Sequence, residues 1–178
     1  MHKLDSINYL SSGNTIQKET YRILTDNNIM QYLYDFNPIL VGTIPLEIDI
    51  DGSDLDIICY WQDKQLFIDV INQCFSEYKD YTLREVKING YPTVIANFFI
   101  ENFEIEIFGQ NIPVVQQYGY RHMIIEYNIL LQKGNEFKNR IIELKKQGYK
   151  TEPAFALLLG IKGNDPYKSL LDYEVHKN

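Results

Sequence analysis

Two acidic residues open an apolar segment of this chain. Asp54 and Asp56 flank Leu55, and the apolar run Ile57-Ile58-Cys59-Tyr60-Trp61 follows them directly. Successive side chains of a β-strand alternate between faces, so the two carboxylates share one face while Leu55 points into the core. Two carboxylates about 7 Å apart along a strand repel each other unless a cation lies between them. The segment therefore predicts a strand whose opening binds a hard divalent cation, magnesium or manganese.

The residues before the acidic pair have the composition of a turn that presents it. Gly42-Thr43 ends an apolar entry, ten residues separate Thr43 from Asp54, and Gly52-Ser53 comes directly before the first acid. Glycine and serine allow a sharp change of chain direction at that point. The ten-residue connection alternates Leu46, Ile48 and Ile50 with acidic residues, which favours an extended arm over a helix.

This spacing resembles the nucleotidyltransferase superfamily, which has the DNA polymerase β-like fold. In that superfamily a hydrophobic residue, Gly, and Gly or Ser are followed by a connection and a strand of Asp-hydrophobic-Asp/Glu-hydrophobic pattern. The corresponding residues here are Val41-Gly42-Thr43 and Asp54-Leu55-Asp56-Ile57. Three further segments, GTIPLEIDIDGSDLDI, QQYGYRHMIIE and TEPAFA, resemble a poorly characterised bacterial domain family with the same fold. This second resemblance extends over nearly the whole chain.

The resemblance implies a third metal-binding carboxylate on a later strand of the same sheet. In the segment 103–108, Glu104 and Glu106 share one strand face. Glu106 is the preferred residue because it lies nearer the end of that strand, and Glu104 is the alternative. The resemblance thus assigns catalysis and metal binding to Asp54, Asp56 and Glu106.

Substrate binding is assigned to four further residues. Gly42 lets the backbone approach the phosphates of a nucleoside triphosphate, while backbone N–H groups and the hydroxyl of Thr43 donate hydrogen bonds. Ser53 lies at the turn before the acids, and Arg121 opens a helical stretch after the third carboxylate. The arginine fork suits bidentate phosphate contact, so Arg121 is predicted to be the phosphate clamp.

Two functions are compatible with this pattern. The first is a metal-dependent nucleotidyltransferase that transfers a nucleotidyl group from a nucleoside triphosphate to an unidentified small-molecule or protein acceptor. The second is a catalytically degenerate nucleotidyltransferase-like module that binds nucleotides or proteins. The three carboxylates favour the enzyme. The connection favours the module, because it contains Pro45 and three acids where many active members of the superfamily carry Arg or Lys.

The net charge and the length of the chain exclude several further classes of protein. The formal net charge of −7 and the lack of any Lys or Arg between Arg22 and Lys64 argue against a general nucleic-acid binder. No segment approaches the about 18 uninterrupted apolar residues of a membrane helix, and the N-terminal sequence lacks the features of a secretory signal. We therefore expect a cytoplasmic protein without a membrane partner. Its 178 residues suffice for one domain and its core.

Hydrophobic periodicity predicts the order of the elements. Strand patterns occupy residues 39–43, 55–61, 81–88, 92–100 and 103–108. Helical patterns occupy residues 15–25, 29–34, 64–75, 114–132, 136–146, 152–159 and 166–173. Asn89-Gly90 predicts a two-residue hairpin. The predicted fold is α+β: a mixed sheet of about five strands covered by helices. A single domain is predicted over residues 1–178, with a sheet-bearing core to about residue 112 and a C-terminal helical layer over about 113–178.

Overall fold

The protein is a mixed β-sheet with helices on both faces. The computed structural model describes residues 2–173. Residue 1 and residues 174–178 of the predicted domain lie outside the described part. The strands are β1 Ile39–Val41, β2 Leu55–Tyr60, β3 Lys79–Ile88, β4 Tyr91–Ile100 and β5 Phe103–Gln110. The α-helices are α1 Thr15–Asp26, α2 Ile29–Tyr32, α3 Lys64–Phe75, α4 Tyr118–Lys146, α5 Thr151–Leu159 and α6 Pro166–Leu171. Short 3-10 helices cover Lys3–Asp5, Ile7–Ser12, Tyr34–Phe36 and Val114–Gln116.

The sheet order is β1-β2-β5-β4-β3. Strands β2 and β5 run parallel, whereas the other three neighbouring pairs are antiparallel. The parallel pair requires a long crossover, which α3 and the β3–β4 hairpin provide. The predicted α+β class and the mixed five-stranded sheet are therefore confirmed.

Side-chain alternation along the strands divides the core in two. In β2, Leu55, Ile57 and Cys59 pack into a cluster that contains residues of α1 and α3. Ile58 belongs to a second cluster, formed with residues of α4, α5 and α6. Asp56 alternates with Leu55 and Ile57, so it faces the side of the C-terminal helices. This register decides where a polar site can form.

The backbone confirms the predicted Asn89-Gly90 turn, and other local features support individual elements. The side chain of Asn14 caps α1 by accepting from the backbone N–H of Gln17. Asn89 and Gly90 adopt φ of 51° and 88°, the positive values that a two-residue hairpin turn requires. Cys59 and Cys74 are free thiols.

Two elements differ from the sequence-based prediction. The start of the connection after β1 is a series of turns instead of an extended arm, with the N–H of Leu46 and Ile48 both donating to the carbonyl of Thr43. Leu46 and Ile48 are buried by this folding. The helix predicted over residues 114–132 begins only at Tyr118, after a 3-10 helix at Val114–Gln116. Gly134, with a non-helical φ of 73°, interrupts α4 between the helices predicted over residues 114–132 and 136–146. Within residues 2–173, no helix has the length and apolarity needed to cross a membrane.

Candidate active site

An open cavity of about 630 Å³ lies between the sheet and the C-terminal helices. We call its two sides the sheet wall and the helical wall. The sheet wall contains Gly42, Thr43, Ser53, Asp54, Asp56 and Glu106. The helical wall contains His122, Glu126, Lys145 and Glu152. The cavity therefore brings together all three predicted carboxylates and three of the four predicted substrate-binding residues.

The sheet register aligns two of the carboxylates directly. Asp56 of β2 and Glu106 of β5 are partners across the parallel pair, so their side chains emerge side by side on the same face. Asp54 is exposed and lies just before the start of β2, two residues from Asp56 and therefore on the same side. Strand alternation puts each carboxylate on this face, and the pairing of β2 with β5, which the sequence does not specify, brings them together.

Crowding of like charges is most evident at Asp56. Burial is the largest cause, and together with the charges of Asp54 and Glu106 it raises the pKa of the Asp56 carboxyl to about 7. This environment makes the ionised form of the carboxylate unfavourable, and a nearby cation would stabilise that form. Asp56 is thus the group of the sheet wall whose charge costs the folded protein most.

The donor set fits magnesium in chemistry, although the side chains are not arranged as a closed coordination shell. Carboxylate oxygens are the ligands that magnesium and manganese prefer. Across residues 2–173, no three His, Cys, Asp or Glu side chains form a compact group that holds a metal ion by itself. Magnesium commonly binds through one or two carboxylates and the phosphates of its substrate. The sheet wall has the character of such a partial site.

Glu106 is held by neighbours that sequence reasoning did not identify. The side-chain amide of Asn97 donates to Glu106 Oε2 at 3.3 Å and to Glu104 Oε1 at 3.0 Å. An Arg84 guanidinium nitrogen lies 3.5 Å from Glu106 Oε2. Asn97 and Arg84 are adjacent-strand neighbours, so only the β3–β4–β5 register reveals them. Glu106 lines the cavity and Glu104 does not.

Gly42 and the turn before β2 shape the rim of the sheet wall. Gly42 has a φ of +82°, and a Cβ there would lie 2.6 Å from Asp56 Oδ2. A side chain at this position would therefore displace the central carboxylate. Ser53 fixes the turn by accepting from the backbone N–H of Ile50 at 3.0 Å, and the Thr43 hydroxyl donates to Ser53 Oγ at 3.5 Å.

The helical wall contains ionisable groups whose positions the sequence did not predict. The carbonyl of Tyr167 lies 2.9 Å from His122 Nε2 and can only accept, so this nitrogen carries the hydrogen. His122 Nδ1 lies 3.4 Å from Glu152 Oε1. Burial raises the pKa of Glu126 well above its ordinary value, and Glu152 raises it further. Burial lowers the pKa of Lys145, whose Nζ donates to the carbonyl of Ile48 at 2.7 Å.

Arg121 is the one predicted site residue that the structure does not bring to the cavity. Its side chain is exposed on α4, and its guanidinium lies 5.9 Å from the centre of the Tyr118 ring. The neighbouring His122 is buried and lines the cavity. A helix turns by about 100° per residue, so adjacent positions point in different directions. The rotation of α4 therefore decides which side chain faces the carboxylates.

Solved structures share this architecture at low sequence identity. The Cid1 poly(U) polymerase with MgGTP bound matches with a TM-score of 0.53 and 12% identity, over 72% of this chain and 41% of that one. A mutant of the same polymerase bound to MgATP matches with a TM-score of 0.57 and 12% identity, over 81% and 48%. The GLD-2/RNP-8 complex matches with a TM-score of 0.53 and 12% identity, over 86% and 58%. The chain thus spans roughly half of the length of these structures and shares their nucleotidyltransferase fold.

Sequence comparison gives a family for most of the chain. No curated protein matches the chain significantly. The model of a family described as a domain of unknown function, DUF4269, matches residues 22–173. This match includes all three carboxylates of the sheet wall and the four ionisable residues of the helical wall. The chain belongs to the DUF4269 family, whose fold in this protein is that of the nucleotidyltransferases.

Proposed function

We propose that this protein is a metal-dependent nucleotidyltransferase that uses a nucleoside triphosphate. The observation that carries the proposal is the alignment of Asp56 with Glu106 on adjacent parallel strands, facing one cavity with Asp54. The fold shared with the Cid1 poly(U) polymerase, which has been solved with MgGTP and MgATP, supports the same reading. The acceptor proposed is a small molecule or a protein, because the chain is acidic overall.

The residues of the sheet wall have distinct roles in this proposal. Asp54, Asp56 and Glu106 would hold magnesium or manganese, which stabilises negative charge on the attacking and leaving oxygens of an in-line displacement. Asn97 and Arg84 keep the Glu106 carboxylate in place. The lack of a side chain at Gly42 leaves room for phosphate beside Asp56. The Ser53 hydroxyl accepts from Thr43 and from the N–H of Ile50, so its own hydrogen can be donated at the same rim.

A buried lysine is better situated than Arg121 to counter the charge of the triphosphate. Lys145 lines the cavity and is only 8% exposed, and its ammonium retains donors beyond the one bound to Ile48. We expect Lys145→Met to weaken ATP binding by about 1.5–3 kcal/mol, the range for hydrogen bonds to charged groups. Arg121→Ala is the matched control and should leave ATP affinity unchanged. Calorimetric titration of both variants with MgATP measures this, and a larger loss for Arg121→Ala would contradict the assignment.

A thermal-shift panel tests the proposed function directly. Each of the four nucleoside triphosphates is added with and without magnesium or manganese. A ligand that binds only the folded state raises the free energy of unfolding by mass action, and the melting temperature rises with it. At a hundredfold excess over Kd, the gain in the free energy of unfolding is about 2.7 kcal/mol. We expect this rise to require metal in the wild type and to be lost in Asp54→Asn. A panel without any metal-dependent rise would argue against the enzyme.

The degenerate module remains the second candidate, favoured by two observations. The described residues lack a compact three-residue metal group, and the connection after β1 is acidic. Nucleotide binding that is equal with and without metal, and unaffected by Asp54→Asn, would identify a nucleotide-binding module. A further test incubates the protein with the triphosphate that it binds and measures the release of pyrophosphate. Only the enzyme consumes the nucleotide and releases pyrophosphate.

A further inference from the structure

Arg84 reaches across a strand to a carboxylate of the sheet wall. It lies on β3, at the edge of the sheet, and its direct neighbour on β4 is Ile95. The row of Glu106 instead contains Asn97 of β4 and Thr82 of β3. The Arg84 side chain therefore leaves its own row and extends over β4, where its guanidinium lies 3.5 Å from Glu106 Oε2. The contact with Glu106 is thus made by the end of a long side chain, and not by strand pairing.

Asn97 joins Arg84 and Glu106 in one hydrogen-bonded group. Its side-chain carbonyl accepts from Arg84 Nη1 at 2.7 Å, and its side-chain amide donates to Glu106 Oε2 at 3.3 Å. The same amide donates to Glu104 Oε1 at 3.0 Å. The planar fork of the guanidinium contacts the Asn97 carbonyl and the Glu106 carboxylate together. Arg84 therefore has a defined place beside Glu106, although its side chain is 48% exposed.

The three carboxylates of the sheet wall differ in their counter-charge. Among the ion pairs of residues 2–173, Glu106 pairs with Arg84, whereas Asp54 and Asp56 take part in none. Like charges repel, so a guanidinium beside one carboxylate lowers the affinity of that carboxylate for a further cation. A first divalent cation therefore gains most at the end of the row formed by Asp54 and Asp56, where no guanidinium opposes it.

We propose that Arg84 is a positioning residue that makes the sheet wall bind its divalent cations in sequence. Before the second cation binds, the guanidinium neutralises Glu106 and holds it together with Asn97. The first cation binds at Asp54 and Asp56, and the second binds at Glu106 only when the Arg84 guanidinium leaves that carboxylate. The inference rests on the proposed function in one respect, namely that these carboxylates bind metal.

A divalent cation can displace the guanidinium because the ion pair is weak. Arg84 is 48% exposed and Glu106 is 28% exposed, and ion pairs between such side chains contribute little because water screens them. A divalent cation carries twice the charge of a guanidinium and binds carboxylate oxygens directly. The phosphates of a triphosphate add further oxygen ligands for that cation. Nucleotide therefore favours the release of Arg84, and the metal site is completed when substrate is present.

Titration of the full chain with manganese tests the sequence of binding. Electron paramagnetic resonance counts the free Mn²⁺ ions, so the stoichiometry and both dissociation constants are obtained without nucleotide and without catalysis. In wild type, we expect one Mn²⁺ per chain at the tighter site and a second that binds about tenfold more weakly. In Arg84→Met, we expect the second Mn²⁺ to bind about fivefold more tightly than in wild type, with little change at the first site.

Two further variants separate this ion pair from the general loss of a positive charge. Lys87→Met removes an exposed cation of β3 that points to the opposite face of the sheet from Arg84, and it should change neither affinity. Arg84→Lys keeps the charge but lacks the fork that contacts Asn97 and Glu106 together. Its second Mn²⁺ should bind with an affinity between those of wild type and Arg84→Met. Urea denaturation checks that all the variants fold.

The second Mn²⁺ decides the outcome. Equal affinity for it in wild type and Arg84→Met would overturn the inference, and so would weaker binding in Arg84→Met, because Arg84 would then support the metal ligand and not compete with the metal. An equal gain in Lys87→Met, or no difference between Arg84→Lys and wild type, would also overturn it. These results all retain metal binding and leave the proposed function intact. Absence of Mn²⁺ binding in every protein would contradict the proposed function together with this inference, so the two failures are distinct.

Discussion

Replacing Asp56 by Asn is expected to stabilise the metal-free protein by about 2–4 kcal/mol at pH 8. The reason is the raised pKa of this carboxyl, about 7 in place of its ordinary 3.8. A displacement of this size corresponds to at most about 4 kcal/mol, because one pKa unit is worth about 1.36 kcal/mol. Asparagine has nearly the same shape as the protonated acid and is never charged. A substitution in the proposed site would thus make the fold more stable.

The direction of the pH dependence follows from the same pKa. The folded protein binds the Asp56 proton more tightly than the unfolded chain does. The resulting stabilisation is complete below the unfolded-state pKa of about 4 and is lost as the pH rises through about 7. Wild type is therefore expected to be less stable at pH 8 than at pH 5.5. Buried Glu126 also has a raised pKa and adds to the same trend.

Urea denaturation of wild type and Asp56→Asn between pH 5 and pH 8.5, with a chelator present, measures this effect. The contribution of Glu126 is common to both proteins, so the difference between their stability curves isolates Asp56. The difference should be small at low pH and should grow towards pH 8. Asp35→Asn, an exposed acid outside the cavity, is the control that should follow wild type. A destabilised Asp56→Asn at pH 8 would contradict the prediction.

Magnesium and nucleotide should make wild type more stable than Asp56→Asn, the reverse of the order without metal. In wild type, a bound cation relieves the repulsion at Asp56, so addition of magnesium and the binding triphosphate should raise the melting temperature. Asp56→Asn has lost one of the proposed ligands and should gain much less. Such a reversal would indicate that the Asp56 carboxylate contributes to binding at the expense of stability.

The carboxylates were predictable from sequence because their placement depends on local rules. Strand alternation places Asp54 and Asp56 on one face. The resemblance to the nucleotidyltransferases implies a third carboxylate on a later strand, where alternation leaves Glu104 and Glu106 on one face. The choice between the two glutamates depends on the register of β2 with β5, which pairs Asp56 with Glu106. Register between strands distant in sequence is set by packing of the whole sheet, so the sequence alone left both residues open.

The helical wall was not predictable for a related reason. Arg121 and His122 are neighbours in sequence, and only the packing of α4 on the sheet decides which of them is buried. Lys145 and Glu152 lie at and beyond the far end of that helix, and they reach the cavity because the chain turns back at Gly148. Hydrophobic periodicity predicted the helices, but it contains no information on how a helical layer is placed over a sheet.

Gly42→Ala is the substitution expected to damage both the fold and the site. Alanine at a φ of +82° costs about 1–2 kcal/mol in backbone strain. Its Cβ would also lie 2.6 Å from Asp56 Oδ2, and relief of such overpacking costs about 1–3 kcal/mol more. We therefore expect a total loss of about 2–5 kcal/mol in the free energy of unfolding. The shift of the Asp56 carboxylate should also abolish the metal-dependent stabilisation by nucleotide.

Gly90→Ala is the control that separates the cost of backbone strain at positive φ from the cost of the close contact between a new Cβ and Asp56. Gly90 has a similar φ of +88° in the β3–β4 turn, and a Cβ there would meet no atom within 4 Å. It should cost only the backbone strain of about 1–2 kcal/mol, and it lies outside the cavity. Urea denaturation gives the two losses, and thermal shift with magnesium and nucleotide gives their effect on the site. Equal losses for the two variants would mean that the Asp56 carboxylate moves away from the new Cβ at no measurable cost. Glycine at position 42 would then be required only by its φ, and the proposed phosphate-binding rim would lose its geometric basis.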